Sequence, residues 1–281
     1  MPLKDILVHL DASAQSAVRL DLAIDLARRH DAHLTALHVV DIGMPLIGMA
    51  DGGGGAALAT LIDEMRESGL AEARRIEADY RERIRRESME GEWRQAEGMV
   101  GELVTLHARY ADMVIVGQDD PDGPSIGTVG LAGDILFGAG RPVLVVPYAG
   151  SFATTGRRVL IGWNAGREAA RAVNDALPLI AMADSACVLS ANPRQGIAAH
   201  GEEPGADIAL HLARHGAKVT VEHRLAPDVS DADLLLNHAS DIAADLIVIG
   251  AYGHSRLREF ALGGVTRSIL KQMTVPVLMS H

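Results

Sequence analysis

Short apolar runs alternate with stretches of helical periodicity along the whole chain. In the second half, the runs Val159–Trp163, Ala186–Ala191, Lys218–Arg224, Leu246–Gly250 and Val277–Met279 are rich in β-branched residues. They are too short for buried helices and so predict strands. The periodic stretches between them predict helices over about Glu168–Ala183, Ala206–His215, Asp231–Ala243 and Val265–Gln272. Such alternation implies right-handed βαβ crossovers and a parallel sheet with helices on both faces. In the first half, Leu61–Glu87 predicts one long amphipathic helix, with Ile62, Met65, Ile76, Tyr80 and Ile84 on one side. Before it lies the glycine-rich stretch Gly43–Ala59, which lacks the Lys-Ser/Thr of a Walker A loop and reads as a flexible lid or linker.

The same phrases occur twice, in the same order. ADMVIVG (Ala111–Gly117) matches ADLIVIG (Ala244–Gly250), RPVLVVP (Arg141–Pro147) matches VPVLMSH (Val275–His281), and DILVHLDAS (Asp5–Ser13) matches RVLIGWNAG (Arg158–Gly166). Matches at similar offsets indicate a tandem duplication. The small, polar stretch Tyr148–Arg157 separates the copies, which places the domains at residues 1–149 and 157–281.

Composition narrows the class of partner. The 281 residues are 48% hydrophobic but only 3% aromatic, so the core must be aliphatic, as suits buried parallel strands. The net charge of −11 disfavours nucleic acid and anionic membrane surfaces. Residues 1–150 hold 14 basic and 24 acidic groups, whereas residues 151–281 hold 12 and 13, so an anionic ligand should prefer the second half. The single cysteine, Cys187, sits in the apolar run SACVLSA, which reads as core and fits a reducing cytoplasm. The N-terminal MPLKDILVHLD meets charge too early for a signal peptide, and no apolar stretch is long enough to span a membrane.

The stretch GAYGHSRLREFALGGVTRS, Gly250–Ser268, carries the candidate chemistry. It joins a strand end to a helix start, and ligands of such sheets bind beyond the C-terminal strand ends. A helix start offers free N–H groups and partial positive charge. Glycines at 250, 253, 263 and 264 would let an anion approach the backbone. Ser255 and Thr266 add hydroxyls, and His254, Arg256, Arg258 and Arg267 add cationic donors. The alternative is a helix entry that needs turn glycines, with arginines on the surface. Residues alone leave both readings open.

The spacing Gly250-x2-Gly253-x9-Gly263, followed by VTRSIL and VPVL, resembles the universal stress protein family. Nucleotide-binding members of that family carry G-x2-G-x9-G-(S/T), then a helix and a last strand beginning PVL. The resemblance covers essentially the whole chain, once per half. It implies an α/β fold of two tandem doubly wound, Rossmann-like domains, each with five parallel strands in the order 3-2-1-4-5. It also implies a nucleotide-binding sensor or regulator of stress responses, with ATP, accompanied by Mg²⁺, in the C-terminal domain. The implied site comprises Gly250, Gly253 and Gly263 with Gly264, Val265, Thr266, His254 and Ser255 around the phosphates. Trp163, Asn164 and Ala165 would take the nucleoside side, and backbone at Ala191 and Asn192 the base. Gly264 departs from the family's Ser/Thr, and Asn164 from its Asp.

The first half keeps Asp11 at the nucleoside position but has QDDPDGPSIGTVGLAGD after Gly117, with Asp120 at the second glycine, Val129 at the third and Gly130 opposite Gly264. Asp119, Asp120 and Asp122 would repel a triphosphate, so this half is not expected to bind ATP in the family's manner. A solvated acidic turn is the reading preferred over a divalent-metal site. His211 and His215 share a helical face near His200, Glu202 and Glu203, and surface histidines are again preferred over a metal pair. Glu168, Arg167 and Arg171 read as helix-start and surface residues, with Arg171 within reach of a ligand. No catalytic nucleophile with an ordered base is evident, and no metal site is expected. The resemblance further implies pairing through the last strands, Val143–Val146 and Val277–Met279, as an intramolecular pseudo-dimer, with a homodimer as an additional option. Slow ATP hydrolysis or self-phosphorylation, and an interaction scaffold without nucleotide, are the alternatives.

Overall fold

The computed structural model describes residues 2–41, 55–123, 130–193, 203–252 and 264–281. Contacts divide the chain into two compact units, Leu3–Arg141 and Pro142–His281.

In the first unit the order is β1 (Asp5–His9), α1 (Gln15–His30), β2 (His33–Asp41), α2 (Gly55–Arg86), β3 (Gly91–Gly98), α3 (Val100–Ala108), β4 (Met113–Gly117) and α4 (Leu131–Gly138). Its strands run parallel in the order β3-β2-β1-β4. Helix α2 starts earlier than the sequence suggests. The Ala- and Leu-rich GAALAT segment continues the helix back to Gly55, so the end of the expected glycine loop is helical. The rest of that expectation, residues 43–54, lies outside the described residues.

The second unit runs β5 (Val143–Val146), β6 (Arg158–Gly162), α5 (Arg167–Ile180), β7 (Ser185–Ala191), α6 (Ala206–Arg214), β8 (Val219–Arg224), α7 (Asp231–Asp241), β9 (Leu246–Gly250), α8 (Gly264–Gln272) and β10 (Val277–Ser280). Strands β8-β7-β6-β9-β10 are parallel and follow the expected 3-2-1-4-5 order. Strand β5 adds to β10 in antiparallel register, with Val145 opposite Val277 and Val143 opposite Met279.

The central strands are buried along their length, and Val, Leu and Ile dominate them. Helices cover both faces, which is why these strands read as continuous apolar runs rather than alternating ones. Strands β3 and β8, third in each repeat, are different. Their exposed and half-buried positions carry Glu92–Arg94 and Glu222–Arg224 pairs, at 2.8 and 3.1 Å. Charges on such strands discourage pairing with foreign strands.

The repeated Ala-Asp pair also has a structural purpose. Asp112 accepts the N–H groups of Lys4 and Asp5 at 2.7 and 3.1 Å. Asp245 accepts those of Gly156, Arg157 and Arg158 at 3.1, 3.1 and 2.8 Å. Each aspartate thus fastens the entry of its repeat's first strand and satisfies otherwise orphaned backbone donors.

Candidate functional site

At the C-terminal edge of the second unit's parallel strands, β6, β7 and β9 end and α5, α7 and α8 begin. A cleft of about 160 Å³ opens there, lined by Gly162, Trp163, Asn164, Ala169, Leu189, Ala191, Asp231, Leu235, Ile249, Gly250, Tyr252, Gly264, Val265 and Thr266. Seven of the residues expected from sequence therefore meet in one place: Trp163, Asn164, Ala191, Gly250, Gly264, Val265 and Thr266. Ala165 and Asn192 adjoin it along the chain. Gly253, His254, Ser255 and Gly263 fall outside the described residues.

The glycines divide by role. A Cβ at Gly250 would stand 2.4 Å from both the Ala169 nitrogen and the Glu168 carbonyl carbon. The first turn of α5 packing against the strand end by itself requires a bare residue at Gly250. Gly162 is similar, since a Cβ there would meet Ile249 and Leu235 at 2.9 and 3.0 Å. Gly264 is the opposite case: a Cβ built on it meets no atom of the described residues within 4 Å. It is exposed at the first position of α8, where helix N–H groups point outward.

The polar residues divide too. The Asn164 carboxamide oxygen accepts the Gly166 N–H at 2.9 Å, which holds the β6–α5 turn while Ala165 takes a left-handed φ of 54°. Thr266 is buried, and its hydroxyl accepts the Tyr252 N–H at 3.4 Å, fixing the exit of β9. The Asn192 side chain is engaged internally. It donates to Asp231 at 2.9 Å and to the Val229 carbonyl at 3.3 Å, and it accepts the Ala226 N–H at 2.8 Å. Arg171 pairs with Asp175 at 2.9 Å one helical turn away. Glu168 is buried beside Arg167; burial opposes its charge, but the Arg167 pair and its own backbone N–H hold the carboxyl below its usual range.

Sequence reasoning missed Asp231 and Tyr252. Asp231 opens α7 and brings a carboxylate to the cleft. The signal was available: a crossover leaving β8 must start its helix at the same sheet edge as α5 and α8.

The corresponding place in the first unit is filled by its own side chains. Arg19 is 2% exposed and reaches Asp11 at 2.8 Å. A Cβ at Gly117 would stand 2.1 Å from the Arg19 guanidinium. Burial alone would raise the Asp11 carboxyl, but Arg19, His9 and the Ser13 hydroxyl and N–H together hold it far below its usual range. Burial pushes His9 down to about 4; Asp11 opposes this, while Arg19 and His38 add to it. Asp119 accepts the Gly130 N–H at 3.0 Å, so a carboxylate already occupies the amide at the start of α4. Burial raises the Asp119 carboxyl, and that hydrogen bond pulls it back. Asp120 accepts the Asp122 N–H at 3.0 Å. His211 and His215 of the second unit stack edge to face with ring centres 4.7 Å apart.

Comparison with known proteins places this geometry. The model of the universal stress protein family matches residues 2–147 and again residues 156–281. Universal stress protein Slr1230 of Synechocystis is 38% identical over 56 residues, which is 17% of this chain and 20% of that protein. Universal stress protein MJ0531 of Methanocaldococcus jannaschii is 26% identical over 145 residues, covering 51% of this chain and 81% of the relative. The crystal structure of a universal stress protein from Archaeoglobus fulgidus superposes with a TM-score of 0.67 at 15% identity, over 98% of this chain and 96% of that one. With two matches in one chain and the fold to go with them, this protein belongs to the universal stress protein family as a tandem member.

Proposed function

We propose that this protein is a nucleotide-binding regulatory protein that takes one nucleotide, ATP by preference, in its second repeat. The observation that carries this reading is the open position at Gly264. The cleft leads to the first turn of α8, where no side chain among the described residues stands over the backbone at Gly264. N–H groups and the helix dipole favour phosphate oxygens at such a place. Trp163 and Asn164 at the end of β6, and Ala191 at the end of β7, line the other side and would take the nucleoside. Asp231 is suited to accept hydrogen bonds from ribose hydroxyls. Gly250, Gly253, His254, Ser255, Gly263, Val265 and Thr266 complete the proposed site, with Mg²⁺ accompanying the triphosphate. The ladder between β5 and β10, the last strands of the two repeats, supports the pseudo-dimer reading.

Titration calorimetry with ATP, ADP and AMP tests the proposal. Binding is expected, and Gly264→Glu should weaken it at least about tenfold by placing a carboxylate beside the phosphates. The new side chain meets none of the described residues, so the melting temperature of that variant should stay near the parent's. A protein that releases no nucleotide on denaturation and binds none of the three would overturn the proposal in favour of an interaction scaffold.

A further inference from the structure

Beneath α7, away from the cleft, three chemically different side chains converge. Cys187 comes from β7, Glu222 from β8 and His238 from α7. The Cys187 Sγ lies 3.6 Å from His238 Nε2, and His238 Nε2 lies 3.8 Å from Glu222 Oε2. All three atoms fall within 4.8 Å of one another. Cys187 and His238 are 5% and 3% exposed, and Glu222 closes the cluster from the partly exposed side.

We propose that Cys187, Glu222 and His238 form a binding site for a borderline divalent cation of the Zn²⁺ class, with a fourth position open towards solvent. The sulfur–nitrogen separation is close to the one such an ion imposes, and the carboxylate stands wider. Bond lengths of about 2.3 Å to sulfur and 2.0–2.1 Å to nitrogen or oxygen, at tetrahedral angles, put S and N roughly 3.5 Å apart and N and O roughly 3.3 Å apart. Only Glu222 must draw in, and its partial exposure leaves it room to do so. Thiolate and imidazole together select Zn²⁺ over Mg²⁺ or Ca²⁺. The neighbours suit ligand roles as well. Thr220 places its hydroxyl beside the Cys187 sulfur, and Arg224 donates to Glu222 Oε2 at 3.1 Å, holding that carboxylate in place. Arg224 also offsets part of the site's negative charge.

A buried Cys–His contact could instead be simple core packing. His238 Nδ1 is buried with no hydrogen-bond partner among the described residues, a cost that packing and coordination at Nε2 share. An apolar residue would pack under α7 without that desolvation. Coordination at Nε2 provides a compensating gain, and a bound ion would tie β7, β8 and α7 together.

The test uses the full chain, reduced and freed of metal with a chelator, and titrated with Co²⁺ as a spectroscopic probe. One equivalent per chain should produce a thiolate-to-cobalt charge-transfer band that Zn²⁺ abolishes by displacement, and Zn²⁺ should raise the melting temperature. Cys187→Ser should remove the band. Glu222→Gln, at a partly exposed position that does not threaten folding, should weaken binding about tenfold or more. A His211→Ala, His215→Ala double variant should behave as the parent. Absence of the band in the parent overturns the proposal. So does a band that survives Cys187→Ser, or parental affinity in Glu222→Gln. If Cys187→Ser fails to fold, the parental spectrum and Glu222→Gln decide.

Discussion

At the scale of single residues, glycines that look alike in the sequence answer to different forces. Gly250 is held bare by the backbone of α5, so Gly250→Ala should be destabilised by about 1–3 kcal/mol through overpacking. Urea denaturation checks this, and Gly264→Ala, with nothing among the described residues to strike, should lie within about 0.5 kcal/mol of the parent. Motif spacing located these glycines but could not separate them, because the atoms that crowd Gly250 arrive from residues 168 and 169. His9 makes a prediction in pH. Burial lowers it from 6.5 to about 4, so the folded state binds fewer protons than the unfolded chain between those values. Its contribution is complete above about pH 6.5 and is lost as pH falls towards 4, by an upper bound of about 3 kcal/mol. His30 and His107, lowered chiefly by burial, slope the same way. Denaturation midpoints measured across that window should fall in the parent and fall less steeply in His9→Gln.

At the scale of elements, the strands of the second repeat were legible to within about a residue, because a doubly covered parallel strand is an unbroken apolar run. Helix ends were harder to place. The run to Ala183 looks periodic, yet α5 stops at Ile180, two residues past Pro178. Helix α7 starts where expected because Ser230 caps it, accepting the Asp233 N–H at 3.1 Å. Ser230→Ala should cost about 1 kcal/mol, read by thermal or urea denaturation. Since Asp231 follows the cap and lines the cleft, the same change should also loosen nucleotide binding. The Cys187 cluster was illegible from sequence: His238 is 51 residues away on a helix, and only the fold brings it to the sulfur.

At the scale of the whole molecule, duplication was the clearest message in the chain, and its two copies have diverged in a physically explicit way. The second repeat presents a cleft; the first places Arg19 against Gly117 and Asp119 on the Gly130 amide. Calorimetry should therefore return one nucleotide per chain rather than two. A stoichiometry of two would mean that the Arg19–Asp11 pair and Asp119 give way to ligand. The acidity of the loop was readable from the sequence, although the particular partner of Asp119, a backbone amide eleven residues on, was not.

Asp119 has a wider consequence. A carboxylate seated on the amide that heads α4 does for one repeat, from within the chain, what a phosphate is proposed to do for the other. If the second repeat takes a nucleotide as proposed, one half of the duplicated protein is set by its own sequence while the other follows the concentration of a diffusing molecule.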